Sequence, residues 1–590
     1  MLPQSPVPPE TLQQLAQLSP AQQAFLAGYL WANSQSTASV HEAPTAAAPA
    51  RKITVISASQ TGNAAGVAKQ FTDKLKGEKL DATLVAAGNY KARQLPKEDI
   101  VVIITSTQGE GEPPEEGVPL HHFLFGKKAP KMDGVSFAVF GLGDSSYPDF
   151  CQAGKDFDTQ LAALGGERLI DRGDADLDFQ ATADAWIDSA TQKLKNVAGG
   201  ANVTPLTLVT NNAAEAHAES AYNKETPYTA ALIQHSSLAT ADADKEVEHI
   251  EIDLGDSGIT YAAGDALGVY TNNASDTVDE VLARSGLTGD ETVESREGKV
   301  SIRQVLTEQS DLNQLTPQFI TQYAERGDSE ALSELVADRA QLLEYQAWTP
   351  LLGLLHDHPQ QLPAQTLYDG LKPLTPRLYS IASAQEEVGE EVHLCVGVVD
   401  IHHHDQVYYG SASGLLSKRL DEGDDVRVFV EPNPRFRLPQ DAATPIIMIG
   451  AGTGIAPYRS FLQQRSADEA EGKNWLIFGN RHFRKDFLYH AEWLAYRDQG
   501  LLHETSLAWS RDGEEKVYVQ DKIRENGDTF WQWLQDGAHI YVCGDATRMA
   551  KDVEQAILDV IGDVGKLSAD DATEFLNDLR EADRYQRDVY

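Results

Sequence analysis

Two short loops of small and hydroxyl-bearing residues carry the strongest chemical signal in this chain. The first runs from Ser59 to Asn63, and the second, Gly-Ala-Gly-Thr-Gly, runs from Gly450 to Gly454. Each follows an apolar run typical of a strand and precedes a run typical of a helix, where free backbone amides favour phosphate binding. The loops are too far apart to share one strand–helix–strand unit. The sequence therefore predicts at least two phosphate-bearing cofactors and relay chemistry between them.

Two further loops follow the next apolar runs beyond the first loop, at Thr105 to Gly111 and at Gly141 to Tyr147. In a parallel sheet all three would lie at the carboxyl edge, where such folds bind ligands. The first loop lacks the lysine of a nucleoside-triphosphatase loop, so a terminal monophosphate fits better than a triphosphate. Tyr147 can stack on a flat ring. Taken alone, the first loop is equally consistent with an ordinary helix-capping turn.

Together the three loops resemble those of the flavodoxin family, which binds FMN. The resemblance implies cofactor contacts from residues at the strand ends. These are Ser59, Gln60, Thr61, Gly62, Asn63, Ala64, Ser106, Thr107, Gln108, Gly109, Leu142, Gly143, Asp144, Ser145, Ser146, Tyr147 and Cys151.

Three segments of the second half combine into a second cofactor site. An arginine for pyrophosphate and a tyrosine for a ring lie in Arg377 to Ser380, and Gly410 to Ser413 offers a small-residue helix start. The glycines at 450, 452 and 454 allow close approach of a pyrophosphate but lack dinucleotide-fingerprint spacing. Either of the first two segments alone is more often structural. The set resembles the ferredoxin–NADP reductase family, with an antiparallel FAD barrel and a nicotinamide domain.

A basic, hydroxyl-rich stretch favours NADPH over NADH. Ser510 and Arg511 precede Lys516 to Gln520, a run without an acidic residue, in what we expect to be one strand–turn segment. A 2′-phosphate needs donors and positive charge, which this stretch supplies. The structural alternative is an ordinary surface charge cluster.

The same resemblance implies the remaining site residues. For hydride transfer these are Ser380, Cys543, Asp588 and Tyr590, with Tyr590 covering the FAD ring until nicotinamide displaces it; a buried core cysteine is the alternative for Cys543. The further cofactor contacts are Arg377, Leu378, Tyr379, Cys395, Val396, Gly397, Gly410, Ser411, Ala412, Ser413, Gly452, Thr453, Gly454, Ser510, Arg511, Lys516, Val517, Tyr518, Val519, Gln520 and Asp552.

The amino-acid composition limits which classes of partner the chain can bind and which cellular compartment it suits. The 590 residues carry a net charge of -40, which disfavours nucleic acid and anionic membranes. The negative charge either serves solubility or salt adaptation, or forms an acidic face that docks a partner. Four acidic residues lie close together on one loop that is either solvated or faces a partner: Glu110, Glu112, Glu115 and Glu116. The three cysteines form no C-x-x-C pair, no Lys or Arg precedes Arg51, and no run is apolar enough for a membrane span. We therefore expect a cytoplasmic protein.

No metal site is predicted from the sequence. Asp174, Asp176 and Asp178 begin like a calcium loop, but Phe179 and Ala185 occupy the positions that need Gly and Glu. The three adjacent histidines His402 to His404 are expected to lie on a solvated loop, with their side chains pointing in different directions from one another.

The predicted fold is multidomain α/β plus a β-barrel. We expect an oligomerisation segment and tether at 1–50, a flavodoxin-like domain at 51–198, a linker at 199–223, a ferredoxin–NADP reductase-like FAD barrel at 224–440 with a helical insertion at about 275–370, and an NADP-binding α/β domain at 441–590. The predicted strands are Ile53–Ser57, Ala82–Ala86, Ile100–Thr105, Val135–Phe140, Arg168–Ile170, Val247–Leu254, Arg377–Ile381, Val392–Val399 and Val426–Val430, and Gly414–Leu420 is a predicted helix.

This domain order resembles the diflavin reductases over residues 51–590. The segments Ser106–Pro114, Tyr585–Tyr590 and Leu18–Ala24 are similar to the branch that serves assimilatory NADPH–sulfite reduction. Ile401 and Asn313 depart from it, standing where relatives have Tyr and Thr. The resemblance implies electron flow from NADPH through FAD and FMN to a sirohaem/iron–sulfur subunit, and homo-oligomers through residues 1–33. Alternatives are a diflavin reductase for another haem acceptor and an inactive nucleotide-binding scaffold.

Overall fold

The computed structural model describes residues 51–59, 62–108, 111–126, 129–145, 147, 149–177, 179–198, 221–296 and 298–590. The predicted N-terminal segment and most of the predicted linker lie outside these residues. So do four predicted cofactor contacts, Gln60, Thr61, Gly109 and Ser146. Within the described residues no helix is long and apolar enough to cross a membrane.

The first domain is a parallel sheet with helices on both faces, as predicted. The sheet order places the first strand between the second and third, and the fourth beyond the third. A short strand, Gly173–Ala175, also pairs with the fourth strand and was missed, and the predicted strand at Arg168–Ile170 is shorter and starts one residue earlier. The strands are Ile53–Ala58, Ala82–Ala86, Ile100–Ser106, Ser136–Leu142, Glu167–Arg168 and Gly173–Ala175.

Apolar side chains on both faces of the central strands explain why helices cover both sides of this sheet. Ile100, Val102 and Ile104 pack under one pair of helices, while Val101 and Ile103 pack under the other. The α-helices are Asn63–Gly77, Val118–Phe125, Gln152–Ala163 and Phe179–Ala198, with 3₁₀ turns at Ala87–Asn89, Ala92–Lys97 and Glu115–Gly117. Registers such as Ala58 beside Thr105 and Ser106 beside Leu142 bring the strand ends level, so their loops share one edge.

The second domain is an antiparallel barrel. Its six strands form a continuous antiparallel path, and an antiparallel bridge between Ile381 and Leu394 joins the two ends. Its strands are Tyr228–Ser237, Val247–Asp253, Ala266–Val269, Arg377–Ser380, Glu391–Gly397 and Asp425–Glu431; a separate hairpin comprises Asp400–His403 and Gln406–Tyr409. The predicted strand to Val399 thus ends at Gly397. The predicted helix is a short α-helical turn, Ser411–Gly414, followed by a π-helical turn, Leu415–Arg419; other turns are Gly255–Ser257 and Gln385–Val388.

The helical segment between barrel strands Ala266–Val269 and Arg377–Ser380 has its own core. A small hairpin of Thr292–Ser295 and Gly298–Ser301 interrupts it. Leucines and valines from these helices form one buried cluster. Its helices are Ser275–Ser285, Ile302–Glu308, Pro317–Arg326, Glu330–Ala337, Arg339–Trp348, Leu351–Asp357 and Ala364–Gly370.

The third domain is a five-stranded parallel sheet that ends on the C-terminal strand. In sheet order its strands are Glu504–Trp509, Asn474–Asn480, Ile446–Ala451, His539–Gly544 and Tyr585–Val589. Its helices are Ala456–Ala467, Phe483–Asp486, His490–Asp498, Val519–Glu525, Gly527–Gln535, Met549–Asp563 and Ala569–Glu581, with a 3₁₀ turn at Gly452–Ile455. One apolar cluster combines barrel residues such as Val247 and Ala382 with Phe461 and Tyr541 of this domain, so the two share a core.

Candidate functional site

Three buried hydroxyls lie at the carboxyl edge of the first sheet. Within the described part of the chain, the side-chain oxygens of Ser59, Ser106 and Thr107 are buried and have no hydrogen-bond partner. An unpaired buried hydroxyl costs about 1–3 kcal/mol, so native proteins rarely keep several together without a ligand. Three free hydroxyl donors suit the phosphate and the polar ring edge of FMN, so the residues present fit the predicted cofactor.

The first loop enters its helix through a glycine that needs a left-handed backbone. Gly62 has φ +83° and caps the helix Asn63–Gly77, and its carbonyl accepts from the amide of Gly66 at 2.8 Å. The first amides of that helix, including those of Asn63 and Ala64, thereby face the edge where the three hydroxyls lie.

The other two loops of this edge are braced by backbone bonds. The amide of Thr107 donates to Leu142 O at 3.0 Å, and that of Gln108 donates to Glu112 O at 2.9 Å. A Cβ at Gly143 would lie 2.7 Å from Cys151 N, so the chain must pass closely there. The Cys151 thiol donates to Ala175 O at 3.6 Å, and burial raises its pKa to about 12. Cys151 is therefore packed behind the loop as a neutral thiol.

Tyr147 is the exposed aromatic of this edge, with 56 % of its surface accessible. Lys372, from the end of the helical insertion, lies 5.8 Å from its ring centroid and 2.8 Å from the carboxylate of Asp144. Ser145 donates through its amide to Asp176 Oδ1 at 3.1 Å. The predicted ring-binding loop thus faces the rest of the chain.

The predicted FAD residues gather around one barrel strand. Arg377 is held by Asp311 of the insertion at 3.1 Å. Tyr379 is half-buried, and burial raises its pKa to about 12, so it stays a neutral phenol. Leu378 is exposed, while Cys395 and Val396 lie buried in the strand that ends at Gly397.

The Gly410 turn is also fixed by hydrogen bonds. The Val399 amide donates to Ser413 Oγ at 3.1 Å, and Thr271 Oγ1 donates to the carbonyl of Ser411 at 2.8 Å. Ala412 is buried beneath this turn. A cavity of about 990 Å³ opens nearby, lined among others by Thr271, Pro376 and Leu415.

Ser380, Cys543 and Asp588 meet at the junction of the barrel and the third sheet. Ser380 Oγ donates to Asp588 Oδ2 at 2.6 Å, and Cys543 Sγ lies 3.8 Å from the same oxygen. Cys543 and Asp588 are register partners on adjacent strands, which fixes their separation. Burial raises the pKa of Asp588, and the bonds from Ser380 and Cys543 oppose that rise. Burial and the Asp588 charge raise the Cys543 pKa, so the thiol stays protonated.

The nucleotide loop lies beside this junction. Gly452 has φ +56°, and a Cβ at Gly454 would lie 2.2 Å from Cys543 O. The Tyr590 hydroxyl is 2.9 Å from Thr453 Oγ1, although 61 % of the Tyr590 surface is accessible. The C-terminal residue therefore spans the loop that a nicotinamide nucleotide would approach.

The residues predicted to bind the 2′-phosphate follow strand Glu504–Trp509, in a loop and at the start of the next helix. The stretch is not one strand–turn segment as expected, because Val519 begins a helix whose N-cap is Tyr518. Lys516 and Val517 lie in the loop before this helix. Ser510 Oγ donates to Asn480 O at 3.4 Å. Val519 is buried, and Gln520 Nε2 donates to Asp552 Oδ2 at 3.2 Å.

An acidic residue that the sequence did not reveal, Asp244, faces the predicted phosphate-binding Arg511. Asp244, from the barrel, pairs with Arg511 and lies 3.3 Å from Arg481. It is distant in sequence from both, so only the fold reveals the pairing. Asp244 therefore adds a carboxylate to the predicted basic site.

Four acidic residues of the first domain pair with bases of the other two domains. Three lie on one loop, which we call the acidic loop, Glu112, Glu115 and Glu116. Glu110, the remaining acidic residue of the predicted cluster, lies outside the described residues, and the other three each pair with a base of this chain. The pairs are Glu112–Lys551 at 2.6 Å, Glu115–Arg587 at 3.0 Å, Glu116–Arg435 at 3.6 Å and Asp144–Lys372 at 2.8 Å.

Family comparisons match all three folded regions. The Flavodoxin model matches residues 55–222, the FAD binding domain model 220–415 and the Oxidoreductase NAD-binding domain model 448–555. These matches support FMN, FAD and a nicotinamide nucleotide as cofactors.

Full-length relatives show the same order of domains. The chain is 52% identical to a sulfite reductase (NADPH) flavoprotein alpha-component of Mannheimia succiniciproducens, over 99% of both chains. It is 51% identical to the protein of that name from Klebsiella pneumoniae and 50% identical to one from Escherichia coli O157:H7, in each case over 99% of this chain and 98% of the relative.

Proposed function

Because the chain belongs to the sulfite reductase (NADPH) flavoprotein alpha-component family, we propose that it delivers electrons from NADPH to a sulfite-reducing haemoprotein subunit. Bound FAD would supply a two-electron acceptor for the hydride of NADPH, and bound FMN would supply a one-electron donor, which suits a sirohaem/iron–sulfur acceptor. The observation that carries the proposal is the Ser380–Asp588 bond, which joins the barrel to the third sheet beside Cys543 and the nucleotide loop.

The residues of this junction have separate tasks. The Asp588 carboxylate and the Ser380 hydroxyl orient the nicotinamide ring of NADPH and favour the positive charge that forms as it gives up hydride. Buried Cys543 supplies a neutral, apolar wall. Tyr590 must leave its contact with Thr453 before the ring can enter.

The edge of Ser59, Ser106 and Thr107 holds the second flavin through its hydroxyls. The four interdomain ion pairs hold the first domain against the reductase half, where electrons are loaded. Residues 199–223 are small and polar in composition, which suits a tether that lets the first domain turn toward the partner. We further propose that the chain uses the predicted domain limits and the predicted cofactor contacts in this relay.

We also propose that the chain self-associates and works in a reducing compartment. Residues 1–33 contain an apolar stripe of leucines and aromatics that suits self-association into homo-oligomers. The three cysteines, all described, are free thiols, which suits a reducing cytoplasm.

Reconstitution tests the function directly. The purified chain, loaded with FMN and FAD, is mixed with the sirohaem/iron–sulfur subunit, NADPH and sulfite, and sulfide is measured. We expect sulfide formation that needs both subunits. NADPH oxidation with soluble acceptors but no sulfide would favour another haem acceptor, and failure to bind flavin would favour the scaffold alternative.

A further inference from the structure

Three histidines of two separate elements surround one carboxylate on the helical insertion. His404 Nε2 lies 2.6 Å from Asp357 Oδ1, and His403 Nε2 lies 2.9 Å from Asp357 Oδ2. His356 Nδ1 lies 3.4 Å from Asp357 Oδ1. His356 and Asp357 end the helix Leu351–Asp357, whereas the other two histidines belong to the hairpin beside the barrel.

The local backbone explains why adjacent histidines converge, contrary to the expectation that they diverge. His404 has φ +53°, a left-handed turn conformation that aims its ring back toward the helix. Gly353 makes room for His403, since a Cβ there would lie 3.0 Å from His403 Nε2. His402 does point elsewhere, 2.9 Å from Asp400.

The ligand atoms are close enough to share an ion. One atom each from His356, Asp357 and His404 lies within 4.8 Å of the others. Around a tetrahedral ion with bonds of about 2.0–2.2 Å, ligand atoms are roughly 3.3 Å apart. The side chains of His356 and His404 are 51% and 56% exposed, so rotation about their χ angles can close the difference.

A second histidine cluster is a poorer candidate. His249, Glu251 and His393 also lie within ligand distance of one another. However, Arg459 Nη1 lies 3.3 Å from His393 Nδ1, and the Arg459 guanidinium is buried. A buried positive charge at that distance repels a cation, so this cluster acts as a polar contact between barrel and third domain.

We infer that His356, Asp357 and His404, with His403 as a fourth neighbour, bind a divalent first-row transition-metal ion of the zinc type. Imidazole nitrogens with one carboxylate oxygen suit Zn²⁺, whereas Mg²⁺ and Ca²⁺ prefer oxygen ligands alone. The ion would clamp the hairpin to the insertion. Asn313 already joins them, donating to Tyr409 O at 3.0 Å. This proposal differs from the sequence analysis, which predicted no metal site.

Zinc binding to the untagged, flavin-loaded protein tests the inference. Titration against a chromophoric zinc chelator should show one saturable site per chain, unaffected by excess Mg²⁺. His404→Ala and His356→Ala should each weaken binding by about tenfold or more, because each removes a ligand. Zinc should also raise the melting temperature of the parent protein, and less in these variants.

His402→Ala is the matched control, because it removes an exposed histidine of the same hairpin that pairs with Asp400. It should leave zinc affinity unchanged. Flavin content and circular dichroism establish that each variant is folded. No saturable site, or equal affinity in the parent, His404→Ala and His356→Ala proteins, would overturn the inference, as would an equal loss in His402→Ala.

Discussion

Arg587 Nε lies 3.0 Å from Glu115 Oε2, and the two residues belong to opposite ends of the electron path. Glu115 lies on the acidic loop of the FMN domain, and Arg587 directly precedes Asp588 on the C-terminal strand. Arg587 also contacts Glu554 at 2.9 Å. The contact that docks the FMN domain thus bears on the strand that carries Asp588 and Tyr590.

Weakening this contact should change how fast an external acceptor is reduced. In Glu115→Gln a docked domain loses a largely buried ion pair, so we expect faster reduction of a soluble haem protein at low salt, by about tenfold or more. The dependence on salt should flatten, because fewer ion pairs remain to be screened. Stopped-flow absorbance at several ionic strengths measures both. Glu78→Gln, which removes an acid paired with Lys195 inside the same domain, should change neither; equal effects of the two would exclude a docking role.

The Asp588 carboxylate should set a pH limb for hydride transfer. Burial raises its pKa, so it becomes protonated at a higher pH than an ordinary aspartate as the solution is acidified. Because the ionised form favours the developing nicotinamide cation, the rate should fall as pH drops through that raised pKa. Asp588→Asn should be slower by about ten- to a hundredfold at neutral pH and lack the limb. Anaerobic stopped-flow with NADPH measures this. Exposed Asp578→Asn is the control, and an unchanged limb in Asp588→Asn would refute the assignment.

Arg511 and Asp244 should have opposite effects on coenzyme choice. Arg511→Ala removes a cation from the proposed 2′-phosphate site and should raise the KM for NADPH about ten- to a hundredfold, with little change for NADH. Asp244→Asn removes the carboxylate that competes for Arg511 and Arg481 and should lower the KM for NADPH. Steady-state kinetics with both coenzymes measure this. Asp242→Asn, whose partner is Lys485, is the control; parallel changes for NADPH and NADH would contradict the site.

The hydroxyls at the edge of the first sheet should matter for FMN alone. Thr107→Val should weaken FMN binding by about tenfold, or about 1.4 kcal/mol, because one buried donor is lost from the site. FAD content should stay constant. Thr191→Val removes another buried, unpaired hydroxyl, on the helix Phe179–Ala198 away from the loops, and should leave FMN affinity unchanged. Fluorescence titration of the FMN-depleted protein provides the values, and equal losses in both variants would indicate a general effect on folding.

Local sequence patterns were sufficient for most of the first sheet and for its edge loops. The barrel strands Tyr228–Ser237 and Ala266–Val269 and the third-sheet strands Asn474–Asn480 and Glu504–Trp509 were not predicted. Runs such as Ile100–Ser106 are apolar on both faces, which only a parallel sheet covered by helices satisfies, and parallel strands bring their loops together. The short strand Gly173–Ala175 was missed because three residues show no periodicity. The shared role of Ser380, Cys543 and Asp588 was inferred through resemblance alone; in the structure Ser380 Oγ donates to the Asp588 carboxylate, and Cys543 Sγ lies 3.8 Å from it.

Contacts between distant segments could not be read from local patterns. The pairing of Glu115 with Arg587 and of Asp244 with Arg511 depends on how the domains sit against each other. The histidine cluster depends on one left-handed residue, His404, and on the space beside Gly353. No spacing rule links residues so far apart in the chain.

Anaerobic titration of the purified chain with NADPH, with the released flavins quantified, tests the relay most directly. The account predicts one FMN and one FAD per chain, with the visible flavin absorbance bleached faster by NADPH than by NADH. A single kind of flavin, no flavin, or no bleaching by NADPH would contradict it.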